Sequence, residues 1–175
     1  MSRLGQLLVA HPHHSQESPF YKSVVYIYQD DIVNGVTGLI LNKPTDKTVQ
    51  SVCHGNGYDF ADNRPMIRFG GPVNTKALLV LHTDEWQSSN TISAGNNLAV
   101  SSDNMMYEKI DISPPAYWRT FFGYAGWYPG QIEQNEAKMW LTCKANDSIV
   151  FEYDGEDQWN QAIKQCSQQM VNAYF

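Results

Sequence analysis

At 175 residues, with a net charge of -6, 17% charged and 13% aromatic residues, the chain is long enough for one self-supporting core and is not composed like a disordered segment. Its lysines and arginines are spread singly from Arg3 to Lys164, with no run to follow a phosphate backbone, so direct nucleic-acid binding is disfavoured. The apolar run before His11 is too brief for a signal peptide and no later stretch reaches the length of a membrane span. Cys53, Cys143 and Cys166 stand far apart without a C-x-x-C spacing, which reads as reduced thiols in a cytoplasmic protein.

Gln6 to Ala10 is a short apolar run closed by His11-Pro12, the first predicted strand. Ser23 to Tyr28 is β-branched and aromatic throughout, a strand buried on both faces. Asp30, Asp31 and Asn34-Gly35 supply the turn into a second strand, Val36 to Leu41. Pro44 has no N–H for a ladder, so pairing is expected to stop there. A short helix is expected over Asp46 to Cys53, capped by Thr45 or Asp46, and then a loop from His54 to Asn63. Met66 to Phe69 reads as a strand ended by Gly70-Gly71-Pro72, and Ala77 to Leu81 as another. Thr91-Ile92 and Leu98 to Val100 are short edge pieces. Ser102-Asp103 is placed to cap a helix carrying Met105, Met106 and Ile110.

Pro114-Pro115 is the clearest break. A strand from Trp118 to Tyr124 follows, then a turn over Gly126 to Gly130 and a helix from Gln131 to Met139, with Trp127 and Trp140 fixing that helix to the core. Ser148 to Tyr153 is read as a last strand. Trp159, Ile163, Cys166, Met170 and Tyr174 recur at threes and fours, the stripe of a final helix, and Glu156 and Asp157 suit its positive end. Strands outnumber helices without strict alternation, which gives a single α+β domain over residues 1–175 with a mixed sheet.

The candidate chemistry is sparse. Glu133 and Glu136 share a helix face, where two carboxylates can share a proton or a metal with Gln131 orienting a ligand; both acids equally suit a solvated first turn. Gly126 to Gly130 precede a helix but lack the Lys-Ser/Thr pair of a phosphate loop. His11, His13 and His14, with Cys53-His54, lack the ligand spacing of a zinc site. Glu152, Asp154, Glu156 and Asp157 lack the pattern of a calcium loop. There is no G-x-S-x-G and no H-E-x-x-H, although a triad assembled in space from Ser23, His82 and an acid stays open. No metal and no cofactor is expected. The strand ends Asn42-Lys43-Pro44 and Gly70-Gly71-Pro72 can line a shared cleft, with Lys43 as the cation for an anionic ligand; the same glycines and prolines also simply shape turns.

Four blocks carry a family resemblance. The first runs from Gly5 through Ala10, Pro12, Pro19-Phe20 and Ser23 to Ile27, and on to Gly38-Leu39-Ile40-Leu41-Asn42-Lys43-Pro44. The second is Phe69-Gly70-Gly71-Pro72-Val73 with Leu81-His82. The third is Gly123-Tyr124-Ala125-Gly126-Trp127, Gly130-Gln131-Ile132-Glu133 and Trp140-Leu141. Phe151, Asp154 and Trp159 form the fourth. In this order the chain resembles the AlgH/YqgE family of small bacterial proteins. The resemblance implies a compact α+β domain with a curved mixed β-sheet flanked by helices, and no defined reaction or cofactor. The chain departs from the family pattern at Asn135, where a second acid is usual.

The reading that follows is a non-catalytic binding or regulatory module acting through a protein partner or a small ligand. Its ligand contacts are assigned to Asn42, Lys43, Gly70, Gly71, His82, Trp127, Gln131 and Glu133. Two other readings stand beside it. One is an enzyme with a small anionic-ligand cleft around Lys43, His82, Gln131 and Glu133. The other is a transcriptional regulator, as the label of one member group suggests.

Overall fold

Along the first strand, Leu7 and Val9 join one hydrophobic cluster while Leu8 and Ala10 join another, as the two-residue period of a strand requires. All four are fully buried, so this strand is covered on both faces. Val24 and Tyr26 against Val25 and Ile27 repeat the pattern on the next strand. The computed structural model showing this describes residues 2–174, the side chains of 135–137 excepted.

In chain order the elements are β1 (Gln6–Ala10), β2 (Val24–Asp31), β3 (Gly35–Ile40), β4 (Pro44–Thr48), α1 (Val49–Gly55), β5 (Met66–Phe69), β6 (Val73–Thr83), β7 (Thr91–Gly95), β8 (Leu98–Ser101), α2 (Met106–Ile112), β9 (Trp118–Trp127), α3 (Gln131–Met139), β10 (Trp140–Lys144), α4 (Asp147–Phe151) and α5 (Gly155–Tyr174). The strands form one sheet in the order β10-β1-β2-β3-β9-β6-β8-β7, with β5 pairing both β9 and β4 off that path. Only β5 and β9 run parallel among the described pairs, so the sheet is mixed. It also curls. The Tyr26 hydroxyl on β2 donates to Ala94 O on β7 (2.7 Å), although several strands separate β2 from β7 in the sheet.

The core has three parts. The inner cluster runs from Leu7, Tyr26 and Leu39 to Phe121 and is sealed by Ile149 and Val150 of α4 and Trp159 and Cys166 of α5. On the outside of β1 to β3, Ile132 of α3 packs with Val25, Ile40, Trp127 and Trp140. A third cluster joins α1 and α2 to Ile67 and Val80 of the sheet. This is the α+β domain, with a curved mixed sheet and flanking helices, that the sequence leads one to expect.

Several local expectations are corrected. Residues 44–48 pair as β4, with Pro44 opposite Arg68. Pairing begins at Pro44 rather than ending there, because β4 lies at an edge and need not donate at that position. The helix starts at Val49 and is capped by Thr48, not by Thr45 or Asp46. Thr48 Oγ1 accepts from Ser51 N (3.0 Å) while Ser51 Oγ accepts from Thr48 N (3.2 Å), a reciprocal cap. Asp103 accepts from Met105 N (2.9 Å) rather than capping α2, which begins at Met106.

The segment read as a last strand, Ser148 to Tyr153, contains helix α4 instead. Asn146 caps it by accepting from Ile149 N (2.9 Å), and that local bond outweighs the β-branched residues that follow. The strand β9 runs past Tyr124 to Trp127, where Gly126 and Trp127 pair with β3. Trp140 opens a strand that the sequence reading omits, β10, paired along its whole length with β1. On α5 the stripe is buried only as far as Cys166; Met170 and Tyr174 are exposed.

The cysteines are not all reduced. Cys143 on β10 and Cys166 on α5 form a disulfide, which leaves Cys53 as the free thiol. The packing of α5 on β10 brings their Cα atoms to 5.1 Å, a proximity that linear spacing does not disclose. Among the described residues no helix is long and apolar enough to cross a membrane.

Candidate functional site

The loop after β1, the end of β9 and the junction of α3 with β10 meet around a cavity of about 380 Å3, lined by His14, Phe20, Trp127, Gln131, Met139 and Trp140 together with Ser15 and Ser18. Trp127 is brought here by the alternation of β9, which turns Ala125 and Trp127 to the same side. Trp127 pairs with Val36 of β3, and at the neighbouring Gly35 a Cβ would meet Trp127 O at 2.0 Å, so only glycine permits that approach. Trp140 follows α3 directly and points to the same side. Ring centroids of Phe20 lie 5.6 Å from Trp127 and 5.5 Å from Trp140. Such tilted and edge-to-face pairs add to the burial of the rings and fix the cavity wall.

Two polar groups face this aromatic wall. His14 Nε2 lies 2.9 Å from Met139 O; a carbonyl only accepts, so Nε2 carries the hydrogen and Nδ1 is left as an acceptor. Burial first, and the nearby His11 charge, hold His14 below the usual imidazole range against the pull of the Met139 bond, which keeps the ring neutral near pH 7. Gln131 opens α3, and its Oε1 accepts from Tyr128 N (2.9 Å). Apolar and aromatic walls with a few placed polar groups are the ordinary make-up of a ligand site.

Trp127 and Gln131 are thus the two predicted contacts that the structure brings together. Glu133 points elsewhere, at 3.3 Å from Arg3 on the surface. Its expected partner Glu136 and the departure at Asn135 have side chains outside the described residues. Asn42 is buried and structural: its Oδ1 accepts from Val24 N (2.9 Å), and its Nδ2 donates to Lys22 O and Gly155 O, both at 2.8 Å. Lys43 donates to Tyr21 O, and burial, then the Lys22 charge, draw its pKa down. Gly70 and Gly71 press against β9. A Cβ would fall 2.3 Å from Gly123 O at the first and 2.1 Å from Tyr124 C at the second. They act as a crossing of backbones.

His82 is fully buried on β6. Its Nδ1 is 2.9 Å from Thr83 O and its Nε2 is 2.7 Å from Ser101 Oγ, so the carbonyl fixes the tautomer in which Nε2 accepts from the serine. This is the geometry of a serine–base pair, with a carbonyl where a triad has its acid. Ser101 is equally sealed, and its Oγ is also bonded to Thr91 Oγ1 at 2.6 Å. No substrate reaches it; the pair satisfies buried polar groups. Ser23, the serine suggested by sequence, is buried and its hydroxyl has no partner among the described residues. His11 and His13 stack on each other at 4.4 Å, and among the described residues no group of His, Cys, Asp or Glu is arranged to hold a metal.

Two features escape the linear reading. His14 is one of three histidines in a polar segment, and nothing in its neighbours marks it as the inward one. The basic residues, single in sequence, converge in space: Arg64, Arg68 and Arg119 line one cavity. An arginine between Trp118 and Thr120 in a strand is the one signal that pointed there.

Comparison with known proteins agrees with this architecture. The AlgH-like family model matches residues 7–171. A UPF0301 protein of Bordetella petrii is 33% identical over 165 residues, covering 91% of this chain and 81% of that one. A UPF0301 protein of Histophilus somni is 31% identical over 180 residues, covering 98% and 95%. The solution structure of the AlgH protein from Pseudomonas aeruginosa superposes with a TM-score of 0.75 at 27% identity, covering 90% of this chain and 85% of that one. A crystal structure from Corynebacterium diphtheriae shares the fold, with a TM-score of 0.74 at 24% identity over 94% of this chain and 87% of that one. With nearly its whole length matched, the chain belongs to the AlgH-like family.

Proposed function

We propose that the protein is a non-catalytic binding module, and that a small ligand with a flat apolar group, held between Phe20, Trp127 and Trp140, sets its action on a protein partner. The observation that carries this is the aromatic cavity itself, with His14 Nδ1 and Gln131 as the polar contacts that orient what enters. The groups best suited to chemistry support the non-catalytic reading: His82 and Ser101 are sealed from solvent, and the Lys43 ammonium is held by a backbone carbonyl.

Thermal unfolding in the presence of indole, benzimidazole and related bicyclic probes tests the reading, since a ligand that binds only the folded chain raises its apparent stability. Stabilisation that grows with probe concentration, and is lost in Phe20→Ala and Gln131→Ala, is the expected result. If no probe stabilises the wild type, or the two variants respond as the wild type does, the cavity is not the binding site.

A further inference from the structure

Arg64 from the loop before β5, Arg68 from β5 and Arg119 from β9 line an open cavity of about 440 Å3, with Asp62, Trp118 and Phe151 among its other walls. Arg119 is the unusual member, only 8% exposed. Its Nη1 donates to Gln158 Oε1 (3.1 Å), and its Nη2 donates to Phe151 O (3.1 Å) and Tyr153 O (2.5 Å). Gln158 is fixed in turn by donating to Ile149 O (2.7 Å). All these partners are neutral, and among the described residues no carboxylate lies within ion-pair distance of Arg119.

A buried cation without a direct counter-ion is costly to hold. Tying the end of α4 and the turn after it to Gln158 of α5 accounts for the hydrogen bonds of Arg119. It does not account for two further arginines converging on the same cavity. Arg68 pairs with Asp154 (2.7 Å), and Arg64 with Asp62 (2.9 Å). The Arg64 side chain is 86% exposed, so that second pair is easily exchanged for another anion. Three guanidinium groups thus meet two carboxylates, and one positive charge is left over. Burial first, and then the neighbouring Arg68 charge, pull the Arg119 pKa to about 10 against the attraction of Asp154. It stays charged at neutral pH. Trp118 and Phe151 give the cavity an apolar wall beside the cations.

We propose that this cavity binds a small oxyanion, a carboxylate or a phosphate carried on an apolar body. Arg68 and Arg119 hold the oxyanion with the N–H groups that Asp154, Gln158 and the two backbone carbonyls leave over, and Trp118 and Phe151 receive the body. The site shares no lining residue with the aromatic cavity and stands or falls independently of it.

Calorimetric titration of the wild-type chain with phenyl phosphate, with benzoate and with neutral benzyl alcohol tests this. The expected result is saturable binding of at least one of the two anions and none of the alcohol; the anion that binds identifies the headgroup. Binding is expected to weaken about tenfold or more in Arg68→Gln, which removes a charged bidentate donor. That variant also strips Asp154 of its partner, so Arg68→Lys is measured beside it. The lysine keeps the charge and the fold but not the planar fork, and weakens binding too. If neither anion binds the wild type at millimolar concentration, or if both variants bind as the wild type does, the proposal is overturned.

Discussion

Trp127 and Trp140 meet edge to face with ring centroids 5.9 Å apart, one closing strand β9 and the other opening strand β10. Between them lies all of α3, so this single contact fixes both ends of that helix to the sheet. Trp140 is 6% exposed and also touches the rings of His14 (4.8 Å) and Phe20 (5.5 Å). Replacing it by alanine is expected to cost about 3–5 kcal/mol, the range for deleting a large buried aromatic side chain. Glu133→Gln removes only a surface ion pair with Arg3 and should change stability by less than about 1 kcal/mol. Urea unfolding of the two variants measures both. An alanine variant within about 1 kcal/mol of wild type would contradict the assigned role of Trp140.

The disulfide joins residues separated by 23 positions. Closing a loop of that size in the unfolded chain stabilises the folded state by about 3 kcal/mol, so a Cys143→Ser, Cys166→Ser double variant should unfold at lower denaturant by that amount. Thiol titration checks the bond directly. Burial, then the charges of Asp111 and Glu108, push the Cys53 thiol up to about 11, so the native protein should react slowly. Unfolded without reductant it should show one reactive thiol, and after reduction three. Three thiols without reductant would exclude the bond.

Stability should fall in mild acid. Burial is the first cause holding both His14 and His82 below the ordinary imidazole pKa. The folded chain therefore binds these two protons less readily than the unfolded one. The linked stability is complete well above pH 6.5 and is lost as pH falls from about 6.5 through the depressed folded values. Melting temperature measured from pH 8 to pH 5 should be flat at the upper end and decline at the lower. Imidazole resonances of the folded protein should titrate two groups below pH 6.5. A midpoint above that value for either would reverse the sign.

Gly71 has a φ of +153° and no room for a side chain against Tyr124. Gly71→Ala should therefore destabilise the domain by about 3 kcal/mol or more, through overpacking added to an unfavourable backbone conformation. This separates a backbone crossing from a ligand contact: a variant that folds as the wild type does, but has lost a ligand, would restore Gly71 to the binding surface.

The parts of the fold that were readable are those set by local pattern. The alternating apolar residues of β1 and β2, the strand Met66–Phe69 and the stripe Trp159, Ile163 and Cys166 announce themselves by period. The misread parts are those in which one side-chain bond or a distant partner decides. Asn146 turns a β-branched stretch into a helix, and β10 is a strand only because β1 lies beside it. The site was half legible. Trp127 and Gln131 stand in one block and line the aromatic cavity, whereas Lys43, His82 and Glu133 are placed by separate elements and line neither cavity described above. The arginine cavity was illegible because its three members come from two strands and a loop, and no window of sequence contains them.

The pairing of β1 with β10 has a consequence for how the chain is made. The second strand partner of residues 6–10 is residues 140–144, and Trp159 then donates to Ala10 O (2.8 Å) from the last helix. Residues 6–10 therefore wait with one edge open until residues 140–144 have been made, and contacts this distant in sequence form slowly. An unpaired apolar edge invites other chains. A nascent chain stalled before Trp140 has β2 on one edge of β1 but nothing on the other, and it is in that interval that this edge is open to aggregation.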